Sequence, residues 1–224
     1  MAQGFARCFQ AAKPLLTDEQ IERYSRQIIL PEVGGRGQER LLAARIALLA
    51  DASDLTPALS YLAGAGVGTI QLVSSEGDSA MSAAAAEATQ LNPDVRIEVS
   101  DHEARDGETL VILAGTDRII EAARRMNSSA ARRRVVFARL DEPCVVALFG
   151  SRPPCLACAH PALLAPAGIR GPFAGVVAML AVAETIKSLL AVAPQPSRLI
   201  EFSGYESRPH ELGAAQGAAC RVCG

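Results

Sequence analysis

The chain has 224 residues, half of them hydrophobic, and a formal net charge of −2. That length and apolar content suit one α/β domain with a full core. Near-neutral charge, 4% aromatic content and no Trp leave no footprint for nucleic acid, a base-stacking surface or an anionic membrane.

Residues 1–14 carry Arg7 and Lys13 around a short mixed segment, with no apolar core long enough for a signal peptide. This predicts a cytoplasmic chain. Thr17, followed three residues later by Gln20, is a capping-box arrangement and starts a helix at Asp18. Ile21, Tyr24 and Ile28 give that helix an apolar face, and Pro31 ends it. Gly34, Gly35 and Gly37 read as a loop, and residues 38–44 as a second short helix.

Residues 46–50, Ile-Ala-Leu-Leu-Ala, have the length and composition of a buried parallel strand. Pro57 suits the first turn of a following helix, which runs to Ala63. Gly64, Gly66 and Gly68 then lead into a strand over residues 69–73. Strand, tight loop, helix, strand is the unit that opens a nucleotide-binding α/β domain. An amide-lined phosphate loop in that unit needs glycine. Here the loop is Ala50-Asp51-Ala52-Ser53-Asp54-Leu55, with no glycine and two carboxylates.

An alanine-rich helix is predicted from Ser79 to near Leu91, a strand over residues 95–99, and an apolar strand over residues 109–113. Asp117 suits the N-cap of a helix over residues 118–126. Arg132-Arg133-Arg134 is a solvated charge run before a strand over residues 135–138. Cys144 reads as a buried structural thiol at a strand edge, and Cys8 has no assigned role. Residues 172–193 are apolar over about the length of a membrane span. Glu184 and Lys187 interrupt them, which predicts a core helix instead. Cys155-x-x-Cys158 and Cys220-x-x-Cys223 supply four thiolates in two knuckles. In a cytoplasmic chain this favours a closed, structural zinc site that pins residues 203–224 to the domain. His160 and His210 are read as surface or turn residues.

The run Arg23-Tyr24-Ser25-Arg26-Gln27-Ile28-Ile29-Leu30-Pro31, followed by Gly37-Gln38, resembles the N-terminal signature of the ThiF/MoeB/HesA family. These are adenylyltransferases for ubiquitin-like sulfur carriers and are related to ubiquitin-activating enzymes. The likeness continues, in order, through residues 60–68, Leu91-Asn92-Pro93, Thr116-Asp117, the first Cys pair, residues 183–187 and the terminal Cys pair. It implies a Rossmann-like, mostly parallel sheet flanked by helices, with a C-terminal zinc-clipped tail. The expected organisation is an N-terminal extension (1–16), an adenylyltransferase-type domain (17–154) and a core helix with the four-cysteine clip (155–224) of the same domain.

The resemblance also implies an ATP·Mg site and an acyl-adenylate reaction at the C-terminal glycine of a small β-grasp protein. Such a reaction needs amides for the phosphates, cations for developing charge and a carboxylate for Mg. The family's phosphate loop, G-x-G-G-x-G, matches residues 50–55, where every glycine is replaced. A carboxylate about 5 Å from a phosphate charge costs on the order of 3 kcal/mol at an effective dielectric near 20. The ribose position matches Ser74, with Glu76 nearby. The family's crossover after the second strand is missing, along with its lysine, since the chain's lysines are Lys13 and Lys187. Asp117 matches the Mg·ATP aspartate, with Arg118 in place of an Asn neighbour. Arg26 matches an arginine that reaches a neighbouring subunit's nucleotide site, a role suited to Arg.

The leading expectation is therefore a family-like protein with a degenerate ATP site. It would be a non-catalytic partner or binding subunit that dimerises with itself or an intact paralogue and engages a small ubiquitin-like or sulfur-carrier protein. The alternative is an active ATP-dependent adenylyltransferase of such a carrier. A third reading, an NAD- or FAD-binding Rossmann protein, needs the same missing glycines.

Overall fold

The structure is a computed structural model. It describes residues 16–73, 79–100, 109–129, 134–142, 144–149, 156, 161–170, 173–191, 197–203 and 206–211. Contacts divide the chain into Met1–Glu39 and Arg40–Gly224.

In the first unit, helix α1 (Asp18–Arg23) starts with the expected capping box: the Thr17 side chain accepts from Gln20 N–H, and Gln20 accepts from Thr17 N–H. Helix α2 (Ser25–Ile28) follows a break at Tyr24 and ends before Pro31. Tyr24 is buried, whereas Ile21 is exposed, so the expected apolar face is only partly used. The expected glycine loop is a correction: Gly34, Gly35 and Gly37 lie inside helix α3 (Gly34–Ala43). Gly34 has φ +58°, a left-handed conformation open to glycine, and marks the turn into the helix. Propensity alone disfavours such a start by about 1 kcal/mol per glycine, and tertiary context overrides it.

The second unit is built on one eight-stranded sheet in the order β3-β2-β1-β4-β5-β6-β7-β8. Strands β1 (Arg45–Ala50), β2 (Thr69–Val73), β3 (Arg96–Ser100), β4 (Thr109–Ala114) and β5 (Val135–Arg139) are parallel. Strands β6 (Cys144–Phe149), β7 (Arg198–Ser203) and β8 (Glu206–Glu211) extend it antiparallel. The mixed α/β, Rossmann-like fold read from the sequence is the fold observed. One feature was missed. Ser203 closes strand β7 and residues 206–211 form β8, paired antiparallel with it, and Pro209 is accommodated because β8 is an edge strand. Cys144 is the buried structural thiol read from the sequence: it opens β6, fully buried, with its thiol donating to the Leu140 carbonyl.

Side chains alternate between two cores. Ile46, Leu48 and Ala50 of β1 pack with α4 (Ala52–Gly64), α5 (Ser79–Leu91) and α7 (Ala174–Leu190). Ala47 and Leu49 face the other way, with α6 (Asp117–Ser129) and a short 3-10 turn at Pro161–Leu164. This is the period-two burial expected of strands covered on both faces. The predicted core helix is α7, and no helix among the described residues is long and apolar enough to cross a membrane.

The strand order reverses between β1 and β4. Crossovers leave β1 towards β2 on one side and β4 towards β5 on the other. In such sheets ligands bind beyond the C-terminal strand ends at this reversal.

Candidate functional site

The β1–α4 connection is shorter than the sequence suggested. Ala52 already opens α4, so only Asp51 separates strand from helix, and Ser53, Asp54 and Leu55 are helical. Asp51 takes an extended N-cap conformation, and its carbonyl accepts from Asp54 N–H and Leu55 N–H. Pro57 therefore sits inside the helix rather than in its first turn. The Asp51 carboxylate does not cap the helix. It accepts from Thr116 Oγ1 at 2.7 Å and from Arg118 Nη2 at 2.7 Å, both in the segment that follows β4. The sheet register makes this possible, since Ala50 at the end of β1 pairs with Leu113 of β4.

Asp54 lies one turn further on and is 4% exposed. A carboxylate that deep requires a partner. Arg170 supplies it in fork geometry, with Nη1 at 2.9 Å from Oδ2 and Nη2 at 2.5 Å from Oδ1. The hydrogen bond to Asp54 raises the Arg170 pKa above its ordinary value, against the opposing effect of burial. Gly115 leaves room for the pair. A Cβ there would lie 3.3 Å from Arg170 Nη1 and 3.4 Å from Asp54 Oδ2.

Arg170 is delivered by residues 163–170, which run across the ends of β4 and β5. Arg139, at the end of β5, donates to the carbonyls of Leu163, Ala165 and Pro166 and to Asp141 Oδ2 at 2.6 Å. Asp141 Oδ2 also accepts from Gly168 N–H at 2.7 Å, and Asp141 and Arg170 form an antiparallel bridge. The other oxygen, Asp141 Oδ1, is buried without a partner among the described groups. Asp117 is a further correction. It is the first residue of α6 rather than its N-cap, and its Oδ1 accepts from Ala167 N–H at 2.6 Å.

The sequence-derived candidates thus divide. Asp51, Asp54 and Asp117 follow the ends of β1 and β4, where Asp51 is held by Arg118, Asp54 by Arg170 and Asp117 by the Ala167 N–H. Arg26 is exposed on α2 of the other unit. Cys155, Cys158, Cys220 and Cys223 lie outside the described residues, as do Ser74 and Glu76. Among the described residues no cluster of metal-ligating side chains is present. Arg170, Arg139 and Asp141 escaped the sequence reading. Their one signal was indirect, since an aspartate in the first turn of a buried helix needs a cation from elsewhere.

Both guanidinium groups at the crevice already hold carboxylates, and no glycine opens the start of α4. Asp117, the residue matched to Mg binding, is engaged by a backbone amide.

No family model matches the chain. A sulfur carrier protein adenylyltransferase from Thermus thermophilus is 29% identical over 250 residues, covering 93% of this chain and 92% of the relative. The sulfur carrier protein ThiS adenylyltransferase of Escherichia coli is also 29% identical, over 248 residues, with 93% and 97% covered. Among solved structures, Escherichia coli MccB with MccA-N7isoASN superposes with a TM-score of 0.65 at 17% identity, covering 90% of this chain and 75% of MccB.

Proposed function

We propose a function from the premise that this chain is a divergent relative of the ThiF/MoeB/HesA proteins, the adenylyltransferases of small sulfur carriers. On that premise it works in the activation of a sulfur-carrier or other ubiquitin-like protein by ATP-dependent adenylyl transfer to the carrier's C-terminus. The observation that carries this reading is similarity along nearly the whole chain to two proteins named for that activity.

In this reading Asp117 would hold Mg, Arg26 would act on the nucleotide of a second subunit in a dimer, and the four-cysteine clip would hold structural zinc. Two C-x-x-C pairs are the donor set of a closed tetrahedral site, which stabilises a fold and has no open position for water. Residues 163–170 would have to withdraw from Asp117 before that carboxylate could take a cation.

A second reading is favoured by one specific observation. Asp51 in the β1–α4 connection and Asp54 in the first turn of α4 stand where a phosphate loop needs glycine, and both are ion-paired. Under it the chain is a non-catalytic partner that lends Arg26 to an intact paralogue. ATP–pyrophosphate exchange decides between the two. Exchange by the purified chain with a small carrier ending in Gly-Gly supports catalysis. Exchange only when an intact paralogue is added, lost with Arg26→Ala, supports the partner role.

A further inference from the structure

We propose that the chain fills its own anion site. Arg118 and Arg170, at the strand-order reversal, hold the carboxylates of Asp51 and Asp54 in place of a phosphate-bearing ligand, and a polyphosphate enters only when those carboxylates give way.

Four observations converge on this. Asp51 stands at an N-cap but leaves the helix amides to its own backbone carbonyl, and its side chain is turned to Thr116 and Arg118. Asp54 presents two oxygens to the two terminal nitrogens of Arg170, the same fork that a phosphate would present. Gly115 lacks the side chain that would crowd this pair. The segment carrying Arg170 is fixed at three further points, by Asp117, Asp141 and Arg139, so the guanidinium is held at the crevice rather than swinging in solvent.

The charge arithmetic gives the direction. Two guanidinium groups beside a helix N-terminus attract an anion. Two carboxylates in the same place cancel that attraction and must be displaced or repelled by any incoming phosphate. The device deepens the proposed function by stating what controls the same site, but its test uses a probe that no carrier or chemistry touches.

The probe is inorganic triphosphate, titrated calorimetrically at low salt into the full chain. Asp51→Asn/Asp54→Asn is expected to bind it about tenfold or more tightly than the unaltered chain. Adding Arg118→Gln and Arg170→Gln to that variant should remove the gain. The proposal is overturned if the double variant melts cooperatively yet binds no tighter, or if the gain survives loss of both arginines. If the double variant does not fold, Asp51→Asn alone, on the more exposed pair, should still gain about threefold or more, and no gain there also overturns it. Triphosphate gain without pyrophosphate exchange sinks the catalytic reading and keeps this one; exchange without the gain does the reverse.

Discussion

Gly68 shows how much one residue can decide. A Cβ there would sit 1.7 Å from the Leu42 carbonyl oxygen and 2.6 Å from its carbon, both backbone atoms that have no rotamer to yield. The contact exists because Gly68 N–H donates to Leu41 O, tying the entry of β2 to the end of α3. Gly68→Ala should therefore cost about 4 kcal/mol or more, read as a lowered denaturation midpoint with an unchanged slope. Gly64, where the same Cβ meets nothing within 4 Å, should tolerate Ala and serves as the control. From sequence alone the two glycines look equivalent, because both punctuate the same turn. The difference lies in a carbonyl contributed 26 residues earlier in the chain.

At the scale of elements, much was legible wherever the signal is local. The capping box at Thr17, the apolar run of β1 and the alanine-rich α5 each declare themselves within a few residues. The misses are non-local. The glycines of α3 read as loop because helix propensity carries no information about tertiary support. Strand β8 is polar and holds a proline, so its pairing is visible only once β7 is in place. The anomaly of Asp51 and Asp54 was plain in the sequence, but Arg170 lies 116 residues from Asp54 and carries no motif.

The join between α7 and β7 is a similar case. Glu184 is buried in the helix and accepts from Lys187 and from Arg198 of the strand. Burial pushes its pKa up, the two hydrogen bonds push it down, and the net is a value lowered from 4.5. A lowered folded-state value stabilises the fold above the unfolded pKa, and that stability is lost as pH falls through the folded one. Thermal stability should fall as pH drops below about 4.5, and Glu184→Gln should flatten that part of the profile. At neutral pH the same substitution should cost about 1–3 kcal/mol, because it withdraws an ionised acceptor from two cations. A profile unchanged by Glu184→Gln would show that other carboxylates set the acid limit.

At the scale of the molecule, the proposed zinc clip would join residues 155 and 158 to 220 and 223, far apart in the chain. If it forms, the purified protein carries one zinc per chain by elemental analysis. Cys220→Ser/Cys223→Ser should lose the metal and lower the melting temperature by several degrees. Zinc-free protein that melts identically would remove the clip from the account.

The whole chain combines an adenylyltransferase-like sheet with a strand-order reversal occupied by its own ion pairs. The most direct test of that combination is ATP·Mg affinity, measured by calorimetry on the unaltered chain and on Asp51→Asn/Asp54→Asn at the same ionic strength. Weak binding to the unaltered chain is the expected result, with an affinity about tenfold or more higher in the variant. Tight, micromolar binding to the unaltered chain, with no gain on removing the two charges, would contradict it.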